Sequence, residues 1–118
     1  MQYILFLILI FAVSCSDNNP LLSRLVHIDS IMDANPQAAY DSLCAIKNTQ
    51  NIALAKKVNM KWRMLMATAQ NKLYMQMPTD SAFSEVVAYY DRNGSDNEKM
   101  QSRYLLGCIY RDTNDAPK

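Results

Sequence analysis

Asn93-Gly94-Ser95-Asp96-Asn97-Glu98 holds a helix stop and a helix start within one short stretch. Asn-Gly is the usual way to end a helix, because both residues tolerate the left-handed conformation. Ser95 and Glu98 stand three apart, the spacing of a capping box that opens the next helix. Downstream, the pattern runs helically until Thr113-Asn114-Asp115. Upstream, Met77-Pro78-Thr79-Asp80 offers another start, and Asn35-Pro36 and Asn19-Pro20 each place a capping residue before a proline at the first helical position. This punctuation predicts helices over residues 20–33, 36–48, 51–75, 79–93 and 95–113.

Apolar spacing supports that division. Leu22, Leu25, Val26, Ile28 and Met32 form one face of the first helix. In the third, Leu54, Val58, Leu65, Ala69 and Leu73 recur at helical intervals. No segment alternates with β-branched residues as a strand would. Connections this short make neighbouring helices antiparallel, so the expected fold is all-α, built of antiparallel hairpins.

The chain has 118 residues, enough for one domain. Lys+Arg number 12 against Asp+Glu 11, a net charge of +1 that argues against a dedicated nucleic-acid binder. His27 is the only histidine, which leaves little material for a zinc site or a Ser-His-Asp triad. Gly94 and Gly107 are too far apart for a phosphate-cradling loop. No metal, cofactor or catalytic residue is expected.

Tyr3 to Val13 is unbroken apolar sequence. As a helix it covers about 16 Å, roughly half of a bilayer's hydrocarbon core, too short to span but suited to a secretory signal peptide. It ends in Ala12-Val13-Ser14-Cys15, which resembles the lipobox of bacterial lipoproteins, with Ala12 where leucine is usual. That resemblance makes residues 1–14 a signal peptide, Cys15 the lipid attachment site and 15–19 an anchor and spacer ahead of a domain over 20–118. Acyl chains contribute about 0.8 kcal/mol per buried CH₂, so two or more would hold a soluble domain stably. An ordinary signal peptide with an incidental cysteine is the alternative. Ser16, rather than Asp, after the cysteine implies the outer membrane, on either its periplasmic or its surface side.

A repeat also shows. Ala39-Tyr40-Asp41-Ser42-Leu43-Cys44-Ala45-Ile46 can be laid over Ala82-Phe83-Ser84-Glu85-Val86-Val87-Ala88-Tyr89, unless two amphipathic helices simply coincide. Leu106-Gly107-Cys108-Ile109-Tyr110 resembles the Leu-Gly-x-x-Tyr core of the tetratricopeptide (TPR) repeat's first helix. Asn114-Asp115-Ala116-Pro117-Lys118 resembles the turn into its second, while Arg103 stands where tryptophan is common. The resemblance implies a short TPR-like α-solenoid. Gly107 would let a packed helix come close, Tyr110 would fill the core between helices, and Ala39 and Ala82 would be the small-residue positions of two earlier units. It also implies either that the array continues beyond Lys118, which falls inside a second helix, or that the last helix caps against another protein. With the lipobox, the chain resembles a TPR-containing lipoprotein of the Gram-negative cell envelope.

The remaining candidates weigh toward bland roles. Cys44 and Cys108 flank apolar residues and read as buried, inert thiols. Asp29 and Asp33, one turn apart near His27, have the spacing of an acid/base pair but read as solvated. Six basic residues and no acidic ones lie between Lys47 and Lys72, and acidic residues predominate from Asp80 to Asp115. Lys57 and Lys61, sharing a face, are the candidate basic contact surface for anionic headgroups or an acidic partner; a solvated face is the simpler reading. The expected function is a membrane-anchored, non-catalytic scaffold binding a protein or peptide partner. Two rivals are the periplasmic sensor portion of a longer signalling regulator and a glycan-uptake lipoprotein, the latter requiring exposed aromatic platforms such as Trp62.

Overall fold

The structure is a computed structural model describing residues 20–49 and 55–115; residues 1–19, which hold the expected signal peptide and Cys15, lie outside it. The described residues form an all-α fold: α1 (Pro20–Ile31), α2 (Pro36–Thr49), α3 (Lys56–Lys72), α4 (Asp80–Asn93) and α5 (Asp96–Asp115), with no strand among them. None of these helices is long and apolar enough to cross a membrane.

Capping explains most helix starts. The Asn35 side chain accepts from the Ala38 amide at 3.1 Å, and the Thr79 hydroxyl from Ala82 at 3.2 Å. Ser95 and Glu98 form the reciprocal box: the Ser95 amide donates to Glu98 Oε1 at 2.9 Å, and the Glu98 amide to Ser95 Oγ at 3.2 Å.

Two helix ends differ from expectation. The third helix stops at Lys72, short of residue 75. Tyr74 takes a left-handed φ of 58°, while the Met75 amide bonds the Gln70 carbonyl at 2.8 Å and the Tyr74 amide bonds Asn71 at 3.3 Å. This is a Schellman ending with tyrosine in place of glycine, so no glycine marked it. At the other end of the loop logic, Gly94 is extended (φ −94°, ψ 163°) rather than left-handed. Its role is steric: a Cβ there would lie 2.8 Å from the Tyr90 carbonyl oxygen and 3.2 Å from Glu98 Cβ.

α3 packs against all four other helices and divides the interior into two cores. Val58, Trp62, Leu65, Met66 and Ala69 join Leu25, Ile28 and Met32 of α1 and its turn, and Ala39, Leu43 and Ile46 of α2. Met60, Met64 and Ala67 join Phe83, Val86 and Tyr90 of α4 and Leu105 and Ile109 of α5. Each set keeps helical spacing, and the two lie on opposite sides of α3. A fully buried Leu, Ile or Phe contributes about 1.5–3 kcal/mol, so both cores draw their stability through this one helix.

Ion pairs tie α1 and the turn after it to α3: Lys61 meets Asp29 of α1 at 3.3 Å, and Lys72 meets Asp33, beyond the end of α1, at 2.9 Å.

Candidate functional site

A concavity lies where four helices meet. It holds about 190 Å³ and is lined by Leu22 and Val26 of α1, Lys57 and Lys61 of α3, Tyr89, Tyr90 and Asn93 of α4, and Glu98 of α5. Helical spacing puts Leu22 and Val26 on one stripe of α1, and Lys57 and Lys61 on one stripe of α3. The close α4–α5 connection at Gly94 brings Tyr90 and Glu98 together at the cleft's end.

Val26, expected in the core, is instead 56% exposed and forms part of the apolar wall. Tyr89 is half-buried, and its ring meets that of Tyr90 edge-on, centroids 5.1 Å apart at 86°. Burial, first, and the nearby Glu98 carboxylate push the Tyr90 phenol well above its ordinary value, so it stays a neutral hydroxyl.

The two lysines are not equivalent. Lys61 is half-buried and committed to Asp29, so it does not contribute a free charge to a basic face. Lys57 is exposed and has no ion pair among the described residues. The basic residues of α3 are balanced from two sides: Arg63 pairs with Glu85 of α4, whereas Lys61 pairs with Asp29 of α1 and Lys72 with Asp33 of the turn after it. Asp29 and Asp33 are each an ion-pair partner, of Lys61 and Lys72, and Asp33 stays largely in solvent. His27 is exposed beside a shallow depression of about 350 Å³ that Ser23, Arg24, Ile28 and Ser42 also line.

The repeat-motif residues divide. Ala39 is fully buried against the first core, but Ala82 is exposed, its carbonyl accepting from Arg63. The buried stripe of α2 runs Ala39, Leu43, Ile46, whereas that of α4 runs Phe83, Val86, Tyr90. Phe83 takes the core place beside Ala82 and turns the alanine outward. In α5, Leu106 is half-buried, Gly107 is exposed with nothing within 4 Å of a Cβ built on it, and Tyr110 is 44% exposed. Among the described residues no helix packs across Gly107, and Tyr110 does not fill a core.

Trp62 is 8% exposed, its indole donating to the Leu43 carbonyl at 2.9 Å, so it is not a platform for a sugar ring. Cys44 is half-buried and Cys108 buried, both with free thiols. Hydrogen bonding with Cys44, foremost, raises the Tyr40 phenol above its usual value. Among the described residues no three His, Cys, Asp or Glu side chains come together as metal ligands would.

No family model, curated protein or solved structure matches the chain.

Proposed function

We propose that this protein is a membrane-anchored scaffold of the cell envelope, TPR-like in its succession of helical hairpins, that holds a protein segment in the cleft between α1, α3 and α4. Lipid on Cys15 tethers it, and residues 16–19 act as a spacer. The observation that carries the reading is the cleft itself. An uncommitted Lys57 ammonium stands beside an apolar wall containing the exposed Val26. That combination suits a segment carrying a carboxylate next to an apolar side chain, with the lysine supplying charge and Val26 and Tyr89 supplying area.

The test is titration of the full chain, in detergent, with labelled peptides alternating leucine and glutamate, against counterparts with glutamine. Binding of the glutamate peptides alone, abolished by Lys57→Glu and unaffected by Ser84→Glu on the exposed side of α4, is the expected result. Equal binding of both peptides, or indifference to Lys57→Glu, rejects this cleft as the binding site.

A further inference from the structure

Around Tyr90 and Glu98, the polar atoms that line the cleft and that the fold leaves unused are all able to accept a hydrogen bond. Glu98 is half-buried, and its capping bond from the Ser95 amide, at 2.9 Å, occupies Oε1 alone. Among the described residues nothing donates to Oε2, and Glu98 has no ion pair. Asn93 spends its amide nitrogen on the Tyr89 carbonyl at 3.0 Å, which leaves its Oδ1 free.

Tyr90 adds a third oxygen. It is 3% exposed, yet its hydroxyl makes no hydrogen bond among the described residues, where a phenol this deeply set normally has a partner. Among those residues the one sealed polar side-chain atom without a partner is Gln70 Oε1. The Tyr90 hydroxyl is therefore open, and the cleft is the concavity that Tyr90 lines. Glu98 stands next to it: the Glu98 Cβ and the Tyr90 Cδ1 lie 3.2 and 2.9 Å from the point where a Gly94 Cβ would sit. Burial foremost, and then that carboxylate, keep the phenol neutral.

A carboxylate oxygen, an amide oxygen and a hydroxyl, with one uncompensated negative charge among them, match a cation that carries several N–H donors. An ammonium has three such donors and no acceptor. Arginine's planar fork is the poorer match, because it pairs best with both oxygens of one carboxylate and Ser95 already holds Oε1 of Glu98. The cleft's own cations do not fill the place. Lys61 is committed to Asp29, and Lys57 forms no ion pair with Glu98.

We propose that the segment held in the cleft carries a lysine as well as its carboxylate, the lysine's ammonium seated among Glu98 Oε2, Asn93 Oδ1 and the Tyr90 hydroxyl. The proposal rests on the reading of this cleft as a peptide site. The lysine's aliphatic stem lies along Tyr89 and Val26, as long charged side chains do on apolar walls. Opposite charges at Lys57 and Glu98 then fix the direction in which the segment lies, since reversing it sets like charges against each other.

The test uses peptides alternating leucine and glutamate, blocked at both ends so that no terminal amine competes. One glutamate at a time is replaced by lysine, acetyl-lysine, arginine or glutamine, and each peptide is titrated against the full chain in detergent. At one position, lysine should bind at least about ten-fold tighter than glutamine or acetyl-lysine, and tighter than arginine. In Glu98→Gln that ratio should fall to about one; glutamine still closes the capping box, so helical circular dichroism should be unchanged. Tyr90→Phe, which keeps the ring, should lower the ratio in part. No lysine advantage on the unmodified protein, arginine bound tighter than lysine, or an advantage that survives Glu98→Gln would each overturn the proposal. Loss of the lysine advantage alone, with glutamate peptides still bound through Lys57, leaves the peptide reading standing. A lysine advantage that depends on Glu98 but not on Lys57 supports the lysine seat and rejects the carboxylate contact. Binding of no peptide rejects both.

Discussion

The indole nitrogen of Trp62, on α3, donates a 2.9 Å hydrogen bond to the backbone carbonyl of Leu43, on α2. The Lys47 ammonium lies 5.7 Å from the centre of the same ring. One side chain thus packs the first core, satisfies its own buried donor and meets a cation across the α2–α3 junction. Trp62→Phe should lower stability by about 1 kcal/mol or more through the lost hydrogen bond, and Trp62→Ala by about 3–5 kcal/mol through the cavity. Urea unfolding measures both, and a loss no larger for alanine than for phenylalanine would remove Trp62 from the core's centre.

Tyr74 stands in the left-handed region at φ 58° with its side chain almost wholly in solvent. That conformation costs an L-residue about 1–2 kcal/mol, and little burial offsets it here. Tyr74→Gly should therefore raise the unfolding free energy by about 0.5–1 kcal/mol, after the glycine's greater freedom when unfolded is counted, and with it the urea midpoint. A lower midpoint would mean that the tyrosine ring holds the α3–α4 loop.

Gly94 leaves no room for a side chain, with the Tyr90 carbonyl oxygen 2.8 Å and the Tyr90 ring 2.9 Å from where a Cβ would sit. Gly94→Ala should cost about 1–3 kcal/mol, because Tyr90 and the start of α5 must shift. The contrast with Gly107→Ala is the sharper check. At that open helical position alanine should stabilise the fold by up to about 1 kcal/mol.

Arg63 holds the Glu85 carboxyl below its ordinary range, by hydrogen bonding first and by charge second. A carboxyl depressed on folding contributes stability above its unfolded pKa and loses it as pH falls through the folded value. The stability difference between the native protein and Glu85→Gln should therefore be present at neutral pH and vanish as the pH falls below the glutamate range. Salt should also reduce it, since both groups reach solvent. A difference independent of pH would assign the contact to packing.

The helix starts were legible because capping is local chemistry: Asn35, Thr79 and Ser95 each do with their own side chain what their position implies. The stop at Tyr74 was not, because the left-handed position is held by a tyrosine, and no glycine or asparagine marks it. The second stripe of α3, Met60, Met64 and Ala67, went unread beside the stronger Val58, Leu65 and Ala69 pattern. Methionine and alanine are weak markers of a core face, and one helix feeding two cores has no single apolar side. The cleft was half legible. Lys57 and Lys61 announced a shared face, but that Asp29 occupies one of them, and that Val26 and Tyr89 wall the space, depends on how α1 and α4 are set around α3.

An anchored scaffold stands or falls first on its anchor, which is tested by mass spectrometry of the N-terminal tryptic peptide from protein extracted out of the membrane fraction. The expected peptide begins at Cys15, ends at Arg24 and carries acyl groups on its first residue. A peptide with unmodified Cys15, or one retaining any of residues 1–14, would contradict it.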